Sequence, residues 1–372
     1  MYVDQESITE EEITKQEATK DETDRKCPSC GGTMSFDPTT GGLACPYCGY
    51  TEEIPLDEVF TTAEELDFET AESVENCNWG TAKKVVICES CGAESIYDEL
   101  QISDVCPYCG SNQVMQEQNK DTLAPGGVCT FKITAKQAGE NFKNWIKRKI
   151  FCPRAAKESA KPKSFQGVYL PYWTFDSNTY TSYTAKYGKD RTVRDKDGNT
   201  KTVTDWYHTS GQHQEFIDDQ LVVGTDRHDE SIMRRIEPFD TADNLSYKPE
   251  YVAGYVSERY SIGLKAAWEK AKDYINSRLH SNIRELIKTQ YNADHVSDLD
   301  LDIRYSNIKF KYLLLPIWLS SFRYKNKVYQ FMVNGQTGKV GGKSPISALR
   351  VAIAVLLGVA VIGTVYYFTN MK

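Results

Sequence analysis

The chain carries two copies of the pentapeptide Cys-Pro-Tyr-Cys-Gly, at residues 45–49 and 106–110. Each copy follows another Cys-x-x-Cys-Gly segment, at 27–31 or 88–92, and fourteen residues separate the cysteine pairs in both cases. Two cysteines at i and i+3 on a tight turn can direct two thiolates at one metal ion, and two facing turns complete a tetrahedral site. The repeat therefore predicts two structural zinc sites with the following ligands: Cys27, Cys30, Cys45 and Cys48 in the first, and Cys88, Cys91, Cys106 and Cys109 in the second.

Disulfide bonds are the alternative use of these cysteines. The first residues, MYVDQESITEEEITKQE, lack the apolar core of a secretion signal, which favours a reducing compartment and metal binding. A catalytic zinc is not expected, because four thiolates leave no open coordination position for water. Cys77, Cys129 and Cys152 have no Cys-x-x-Cys partner and are expected to behave as small apolar residues.

Charge divides the chain of 372 residues unevenly. Residues 1–80 hold 20 acidic and 4 basic residues, whereas the whole chain has a net charge of −8, so the remainder is basic. Residues 1–24 are acidic without an apolar period, which is typical of a disordered tail. The acidic run at 51–76 contains apolar residues and could be either a flexible linker or a short amphipathic helix. We predict the following order: a disordered acidic tail (1–24), zinc ribbon 1 (25–50), an acidic linker (51–83), zinc ribbon 2 (84–118), an α+β domain (119–345) and a membrane anchor (346–372).

The central domain combines helical and strand patterns. Residues 134–151 predict a helix that Thr134 caps, and residues 261–291 predict one or two amphipathic helices. Leu-Pro-x-Trp occurs twice, at 170–173 and 315–318, each time before alternating aromatic residues that are typical of strands. The pattern predicts an α+β fold with a duplicated β-unit.

Residues 351–368 are eighteen uncharged, mostly apolar residues. As a helix they would span about 27 Å, close to the thickness of the hydrocarbon core of a bilayer. A buried core helix is the alternative, but such helices are usually amphipathic. The residues from Ile303 to the start of this segment include several basic residues and no acidic one. Positively charged residues beside a membrane helix usually stay on the cytoplasmic side. The sequence predicts a tail-anchored, single-pass protein of the cell membrane with its N-terminal domains in the cytoplasm.

Motifs for catalysis are not found in the sequence. The five histidines show no metal-ligand spacing, and no Gly-x-Ser-x-Gly elbow is present. The adjacent Asp218 and Asp219 could act with Asp226 as paired carboxylates, but a solvated acidic loop explains them with fewer assumptions. We therefore expect no enzymatic activity and no catalytic residues.

The two Cys-x-x-Cys ribbons, the Leu-Pro-x-Trp domain and the segment Val333–Val340 before an apolar tail resemble a bacterial family, the YdjG-like, TFIIB-type zinc-ribbon proteins. The resemblance covers most of residues 25–368. One departure is the segment 88–91, Cys-Glu-Ser-Cys, which lacks the proline of the other three turns although its ligands are intact. The resemblance implies a non-enzymatic membrane protein that works with an SPFH-domain protein and a phage-shock protein in envelope stress.

Two functions remain open from the sequence. The first is a membrane-anchored scaffold whose ribbons recruit partner proteins, and the second is nucleic-acid binding in replication or transcription. Neither ribbon has a Lys or Arg between its first and last cysteine, although phosphate binding requires positive charge. Residues 136–163, with nine basic and two acidic residues, could bind nucleic acid or anionic lipid. The scaffold is the favoured function.

Overall fold

The structure is a computed structural model that describes residues 13–18, 26–55, 61–71, 83–87, 94–98, 101–105, 112–114, 125–160, 165–194, 200–325 and 327–370. The helices are α1 (Phe68–Ala71), α2 (Ala135–Arg148), α3 (Arg154–Ser159), α4 (Glu230–Ile236), α5 (Pro249–Val252), α6 (Leu264–Tyr291) and α7 (Ala348–Asn370). The first strands are β1 (Ile13–Ala18), β2 (Ser35–Asp37), β3 (Gly42–Ala44), β4 (Thr51–Glu52), β5 (Leu66–Asp67), β6 (Lys83–Ile87), β7 (Glu94–Asp98), β8 (Gln101–Val105) and β9 (Asn112–Val114). The others are β10 (Gly127–Val128), β11 (Gln166–Arg194), β12 (Thr200–Val223), β13 (Leu245–Ser246), β14 (Val256–Glu258), β15 (His295–Tyr324), β16 (Lys327–Asn334) and β17 (Val340–Gly342).

Three long antiparallel strands form the centre of the main sheet. β11 pairs with β12 along one edge and with β15 along the other, and β16 and β17 continue the sheet beyond β15. α6 packs on one face of these strands and buries an apolar stripe that includes Trp268, Ile275 and Ile283. The predicted α+β class is confirmed, together with a cysteine cluster near the N-terminus and one long apolar helix near the C-terminus.

The two central helices form where local signals place them. α2 begins after Thr134, whose hydroxyl accepts a hydrogen bond from the backbone of Gln137, while the Gln137 side chain accepts one from the backbone of Thr134. This capping box satisfies two backbone donors that the helix itself leaves free. α6 is one continuous helix that ends at Asn292, a residue in the left-handed conformation. Leu286 lies on the exposed face of this helix.

The two Leu-Pro-x-Trp segments lie side by side. Leu170 on β11 is directly opposite Leu315 on β15, so an approximate two-fold axis passes between the paired motifs. In each half, a short strand leads into a helix and then into the long strand: β10 precedes α2 and β11, and β14 precedes α6 and β15. The short strands are exchanged, because β10 pairs with β15 and β14 pairs with β11. This exchange interlocks the two halves.

Hydrogen bonds repeat across the same axis. The indole of Trp173 donates to the carbonyl of Ile262 at 2.8 Å, and the indole of Trp318 donates to the carbonyl of Ile133 at 3.1 Å. Both carbonyls lie at the start of a helix, α6 and α2 respectively. Each tryptophan therefore fixes the helix of the other half to the central strands. The predicted duplication has this structural counterpart.

Two glycines occupy equivalent places after the second hairpin strand of each half. The backbone N–H of Gly224 donates to the carbonyl of Pro171, and that of Gly335 donates to the carbonyl of Pro316, both at 2.8 Å. A Cβ on Gly335 would lie 2.7 Å from atoms of Phe131 and Pro316, whereas a Cβ on Gly224 would lie 3.0 Å or more from its neighbours. The backbone approach is therefore closer at Gly335.

We expect Gly335→Ala to lower the free energy of unfolding by about 2–3 kcal/mol and Gly224→Ala by about 1 kcal/mol, because overpacking a rigid contact costs more the closer the contact is. Urea unfolding of the full chain in detergent measures both values, and each variant serves as the matched control of the other. Equal losses at the two positions would contradict this explanation of the packing.

Candidate metal centre

The first four-cysteine segment folds around two similar turns. The backbone N–H of Gly31 donates to the carbonyl of Cys27 at 2.8 Å, and the N–H of Gly49 donates to the carbonyl of Cys45 at 3.0 Å. Gly31 and Gly49 have φ values of +71° and +76°, a region that side chains disfavour. The i, i+3 spacing and the following glycine therefore produce the turns that the sequence predicts.

The two turns face each other and bring four sulfur atoms together. Cys27 Sγ lies 3.4 Å from Cys48 Sγ, and Cys30 Sγ lies 3.5 Å from Cys45 Sγ. All four sulfur atoms lie within 4.8 Å of one another. A tetrahedral ion with bonds of about 2.3 Å would hold its sulfur ligands about 3.8 Å apart. The residues fit a closed metal site, and the four-cysteine group could hold one metal ion.

The thiols of this group influence each other's ionisation. The backbone N–H of Gly32 favours the thiolate of Cys30, but the thiols of Cys45 and Cys48 outweigh it and raise the pKa of Cys30 to about 12. Burial opposes ionisation of Cys45, yet hydrogen bonds from the backbone of Cys48 and Tyr47 lower its pKa to about 7. Four adjacent thiols cannot all ionise without a cation, so metal binding must release protons.

The second predicted set, Cys88, Cys91, Cys106 and Cys109, lies outside the described residues. The strands that lead to it are described: β6 ends immediately before Cys88, and β8 ends immediately before Cys106. β3 ends immediately before Cys45 in the same way. The second site remains a prediction from the sequence.

The first ribbon packs against the α+β domain. The backbone N–H of Phe36 donates to the carbonyl of Ala253 at 3.0 Å, and the Phe36 ring meets the ring of Tyr251 edge-on, with centroids 6.2 Å apart. Gly254, at φ +85°, lies so close to Ser35 that a Cβ there would be 2.5 Å from the serine Cβ. The metal group is therefore held in a fixed position on the domain surface.

Part of the acidic linker also packs on the domain. β5 pairs with β15, and the Phe68 ring that follows it contacts the rings of Phe175 and Trp268, with centroids 6.4 and 5.8 Å away. Glu65 forms ion pairs with Lys309 at 3.2 Å and Lys311 at 3.6 Å. Residues 61–71, here called the strap, are therefore held on the domain by the aromatic contacts of Phe68 and the ion pairs of Glu65.

A second acidic group lies beneath this strap. Carboxylate oxygens of Asp176, Asp218 and Asp219 lie within 4.8 Å of one another. Lys311 places its ammonium 2.9 Å from Asp219, so the cluster already has a cation. The sequence-based description of Asp219 as part of a solvated loop is wrong, because this carboxylate is only 19% exposed. Asp226, the third candidate, lies apart and accepts a hydrogen bond from Ser261 at 2.7 Å.

The pKa values of Asp176 and Asp219 shift in opposite directions. Burial raises the pKa of Asp176. Burial acts in the same direction on Asp219, but the Thr241 hydroxyl and the Lys311 ammonium outweigh it and lower the pKa of Asp219. A lowered pKa means that the stability contributed by Asp219 is complete above its ordinary pKa and is lost as the pH falls through its folded value. In the sequence, Lys311 is the one charged residue in the segment FKYLLLP (310–316), a pattern that indicates a lysine with a buried acidic partner.

We expect Lys311→Met to lower the free energy of unfolding by about 2–3 kcal/mol at neutral pH, because it leaves a largely buried carboxylate without its cation. Lys309→Met is the matched control: this lysine is half exposed, and we expect a loss of less than about 1 kcal/mol. Urea unfolding of the full chain in detergent gives both numbers. Similar losses for the two variants would show that Lys311 is not the essential partner of Asp219.

The remaining cysteines and histidines do not form a further site within the described residues. Cys129 and Cys152 are buried, and burial raises both thiol pKa values, that of Cys129 to about 12. These two thiols behave as the expected small apolar residues, while Cys77 lies outside the described ranges. His213 and His295 contact the carboxylates of Glu215 and Asp190, at 3.2 and 3.0 Å.

α7 is long and apolar enough to cross a membrane. Residues Ala348–Tyr367 have a mean hydropathy of 2.4, and none of this stretch is buried within the protein. Of the described helices, it alone combines this length and composition. Among the described residues, α7 therefore does not fit the alternative of a buried core helix.

Comparison with known proteins identifies one relative at high significance. The chain is 29% identical over 335 residues to the uncharacterized protein YdjG of Bacillus subtilis (strain 168), and the match covers 88% of this chain and 91% of that protein. No protein-family model matches the chain. No solved structure matches it. The chain is thus similar, along most of its length, to a protein whose own function its name leaves open.

Proposed function

We propose that this protein is a non-enzymatic scaffold that is anchored in the cytoplasmic membrane by α7 and recruits partner proteins through its zinc ribbons. One observation carries the proposal: a closed four-cysteine group is fixed on the surface of a folded domain whose chain also carries a fully exposed apolar helix. A closed site serves structure and not catalysis. An exposed apolar helix of this length needs a membrane to cover it.

Zinc is the proposed ion in both ribbons. Four thiolate ligands at tetrahedral spacing suit zinc, which is redox-inactive and is four-coordinate in structural sites. The 61-residue offset between the two repeats supports two ions per chain, held independently. Zinc would crosslink the turn that contains Tyr47 to the turn formed by Cys27 and Cys30, so loss of the metal would change the position of Tyr47.

The orientation follows from charge near α7. Lys339, Lys343 and Arg350 precede or begin the helix, and no acidic residue occurs from Ile303 to the end of the sequence. Positive flanks remain on the cytoplasmic side. The ribbons and the α+β domain would then lie in the cytoplasm, where thiols remain reduced and available for metal.

The docking surface we propose is the exposed side of the first ribbon around Tyr47. This side chain is 78% exposed and lies over Gly32, between the two metal-binding turns. An exposed tyrosine on a rigid turn is typical of residues that dominate protein interfaces. The resemblance noted above suggests an SPFH-domain protein and a phage-shock protein as partners in envelope stress, and we adopt both as candidates.

Nucleic-acid binding is the second candidate, and the basic outer face of α2 supports it. This face exposes Lys136, Lys143, Lys147 and Arg148. The ribbon does not share this charge, because Asp37 is its one charged residue between Cys27 and Cys48. Binding through neutralised phosphates would weaken steeply with salt. Titration of labelled duplex DNA and single-stranded RNA into the full chain in detergent measures this property directly.

The scaffold is tested by affinity purification of the full chain from detergent-solubilised membranes. We expect proteins to co-purify with the wild type, and Tyr47→Ala to reduce their yield by about tenfold, because removing an interface anchor costs at least about 1–2 kcal/mol. The matched control is Tyr180→Ala, which removes another exposed tyrosine, 48% exposed, from the distal part of β11.

Zinc analysis of each purified variant establishes that the ribbon is still folded. Unchanged partner yields with Tyr47→Ala would contradict Tyr47 as the docking residue. Tight nucleic-acid binding by the wild type at physiological salt would favour the second candidate over the scaffold.

A further inference from the structure

The loop after α2 is joined to the start of α7. The guanidinium of Arg350, in the first turn of α7, donates hydrogen bonds to the carbonyls of Ile150 and Cys152, both at 2.9 Å. The backbone N–H of Ser347 donates to the carbonyl of Phe151, also at 2.9 Å. Three hydrogen bonds therefore fix residues 150–152 beside the point where α7 leaves the domain.

The same loop exposes two apolar side chains. Ile150 is 76% exposed and Phe151 is 42% exposed, whereas the neighbouring Cys152 is buried and holds the loop to the domain. Ile346 and Leu349, at the start of α7, are 72% and 71% exposed. The hydrogen bonds above place the loop against the base of the helix, so these four exposed apolar residues lie in the same region of the surface.

Basic residues surround this surface. Lys147 and Arg148 form the exposed last turn of α2, and Lys149 places its ammonium 4.5 Å from the centre of the Trp145 ring. Lys157 on α3 donates a hydrogen bond to the carbonyl of Lys147 at 2.7 Å, which holds its positive charge at the same place. An apolar tip ringed by positive charge matches the interface of a bilayer that contains anionic lipid.

We propose that residues 147–151, which are the last two residues of α2 and the start of the loop after it, form a second contact with the same membrane that α7 crosses. They are here called the membrane-contact loop. Ile150 and Phe151 enter the headgroup region, and Lys147, Arg148 and Lys149 bind the phosphates of anionic phospholipids. This inference rests on the proposed membrane anchoring, because α7 brings the loop to the bilayer surface. The contact sets the orientation of the α+β domain relative to the membrane.

A bilayer is favoured over nucleic acid as the occupant of this surface. Nucleic acid would use the positive charges but would leave Ile150 and Phe151 in water or against phosphates. A bilayer satisfies both parts, since apolar side chains reach the boundary between headgroups and acyl chains while charged ones remain at the phosphates. The covalent continuity with α7 places the loop within reach of lipid whenever α7 is inserted.

The test uses photocrosslinking from the full, zinc-loaded chain reconstituted in vesicles. The photoreactive residue p-benzoylphenylalanine replaces Phe151 in one variant and Tyr47 in a control variant. Tyr47 is on the ribbon near the N-terminus of α2, about 21 Å along that helix from the loop. Vesicles contain phosphatidylcholine alone or with an equal amount of phosphatidylglycerol, and mass spectrometry counts lipid adducts.

We expect a lipid adduct at position 151 and not at position 47, with a higher yield in the vesicles that contain phosphatidylglycerol. Changing Lys147, Arg148 and Lys149 together to glutamate is expected to lower this yield by at least about fivefold, the effect of losing even one surface-bound basic side chain. Zinc content confirms that each variant is folded. Resistance to alkaline carbonate extraction is measured separately, so failure of α7 to insert is distinguished from failure of the loop.

A chain that resists extraction but gives no adduct at position 151 would overturn the proposed contact while leaving the membrane anchor intact. Adducts to added duplex DNA in place of lipid would also overturn it and would identify the surface as a nucleic-acid site. An adduct at position 151 in a chain that carbonate extracts would support the contact and refute the anchor.

Discussion

Replacing Cys45 with serine is expected to remove one of two zinc equivalents and to unfold the first ribbon. The ribbon has a small core, with Met34, Phe36 and Leu43 as its main buried side chains, so a bound zinc ion would supply most of its stability. Structural zinc contributes about 10–16 kcal/mol to comparable small sites, more than such a core can replace. Elemental analysis of the full chain in detergent, with limited proteolysis around residues 26–54, measures both effects.

Cys152→Ser is the matched control, because this buried cysteine lies outside the metal group and its replacement should leave both zinc equivalents in place. The second ribbon is also expected to retain its metal in the Cys45 variant, since the two sets of ligands are separate in the sequence. Loss of both equivalents from the Cys45→Ser chain would contradict independent sites, and a wild-type chain without zinc would contradict the metal centre itself.

Deleting residues 346–372 is expected to move the protein from the membrane to the soluble fraction. Each Leu, Ile, Val or Phe at the centre of a membrane helix favours insertion by about 0.3–0.6 kcal/mol, and α7 contains many such residues. The stretch Ala348–Tyr367 is not buried against the described residues, and the bonds that its deletion breaks are surface hydrogen bonds to residues 150–152. Its loss should therefore leave the core and the metal content unchanged. Fractionation of cells followed by zinc analysis of the soluble protein measures both expectations.

A single substitution provides a finer control in the full chain. Leu357→Arg places a charge near the middle of α7 at a cost of about 2.5–3.5 kcal/mol and should weaken membrane insertion, whereas Leu357→Ala should have little effect. A deletion variant that stays with membranes would contradict α7 as the main anchor. The membrane-contact loop would then be the first alternative to examine.

The features that could be predicted from the sequence are those with local causes. The metal-binding turns follow from cysteine spacing and one glycine, and α2 follows from the capping box at Thr134. The exposed apolar helix follows from composition alone. In each case residues that are close in the sequence determine the structure.

The features that escaped prediction depend on contacts between distant residues. The repeated Leu-Pro-x-Trp motif suggested a duplication, but its direct pairing across β11 and β15 depends on a register set over more than a hundred residues. The Lys311–Asp219 ion pair and the contact between the rings of Phe68 and Trp268 each join segments that are far apart in the chain. The polar composition of residues 61–71 suggested a linker, because composition does not reveal which surface a segment can pair with.

Recruitment of partner proteins to the membrane is the central claim, and the location of those partners tests it most directly. Proteins that co-purify with the full chain are quantified in membrane and soluble fractions of cells that express either the full chain or the chain lacking residues 346–372. The scaffold predicts that they leave the membrane together with the shortened chain and remain bound to it. Partners that keep their membrane location, or that bind neither form, would contradict the scaffold.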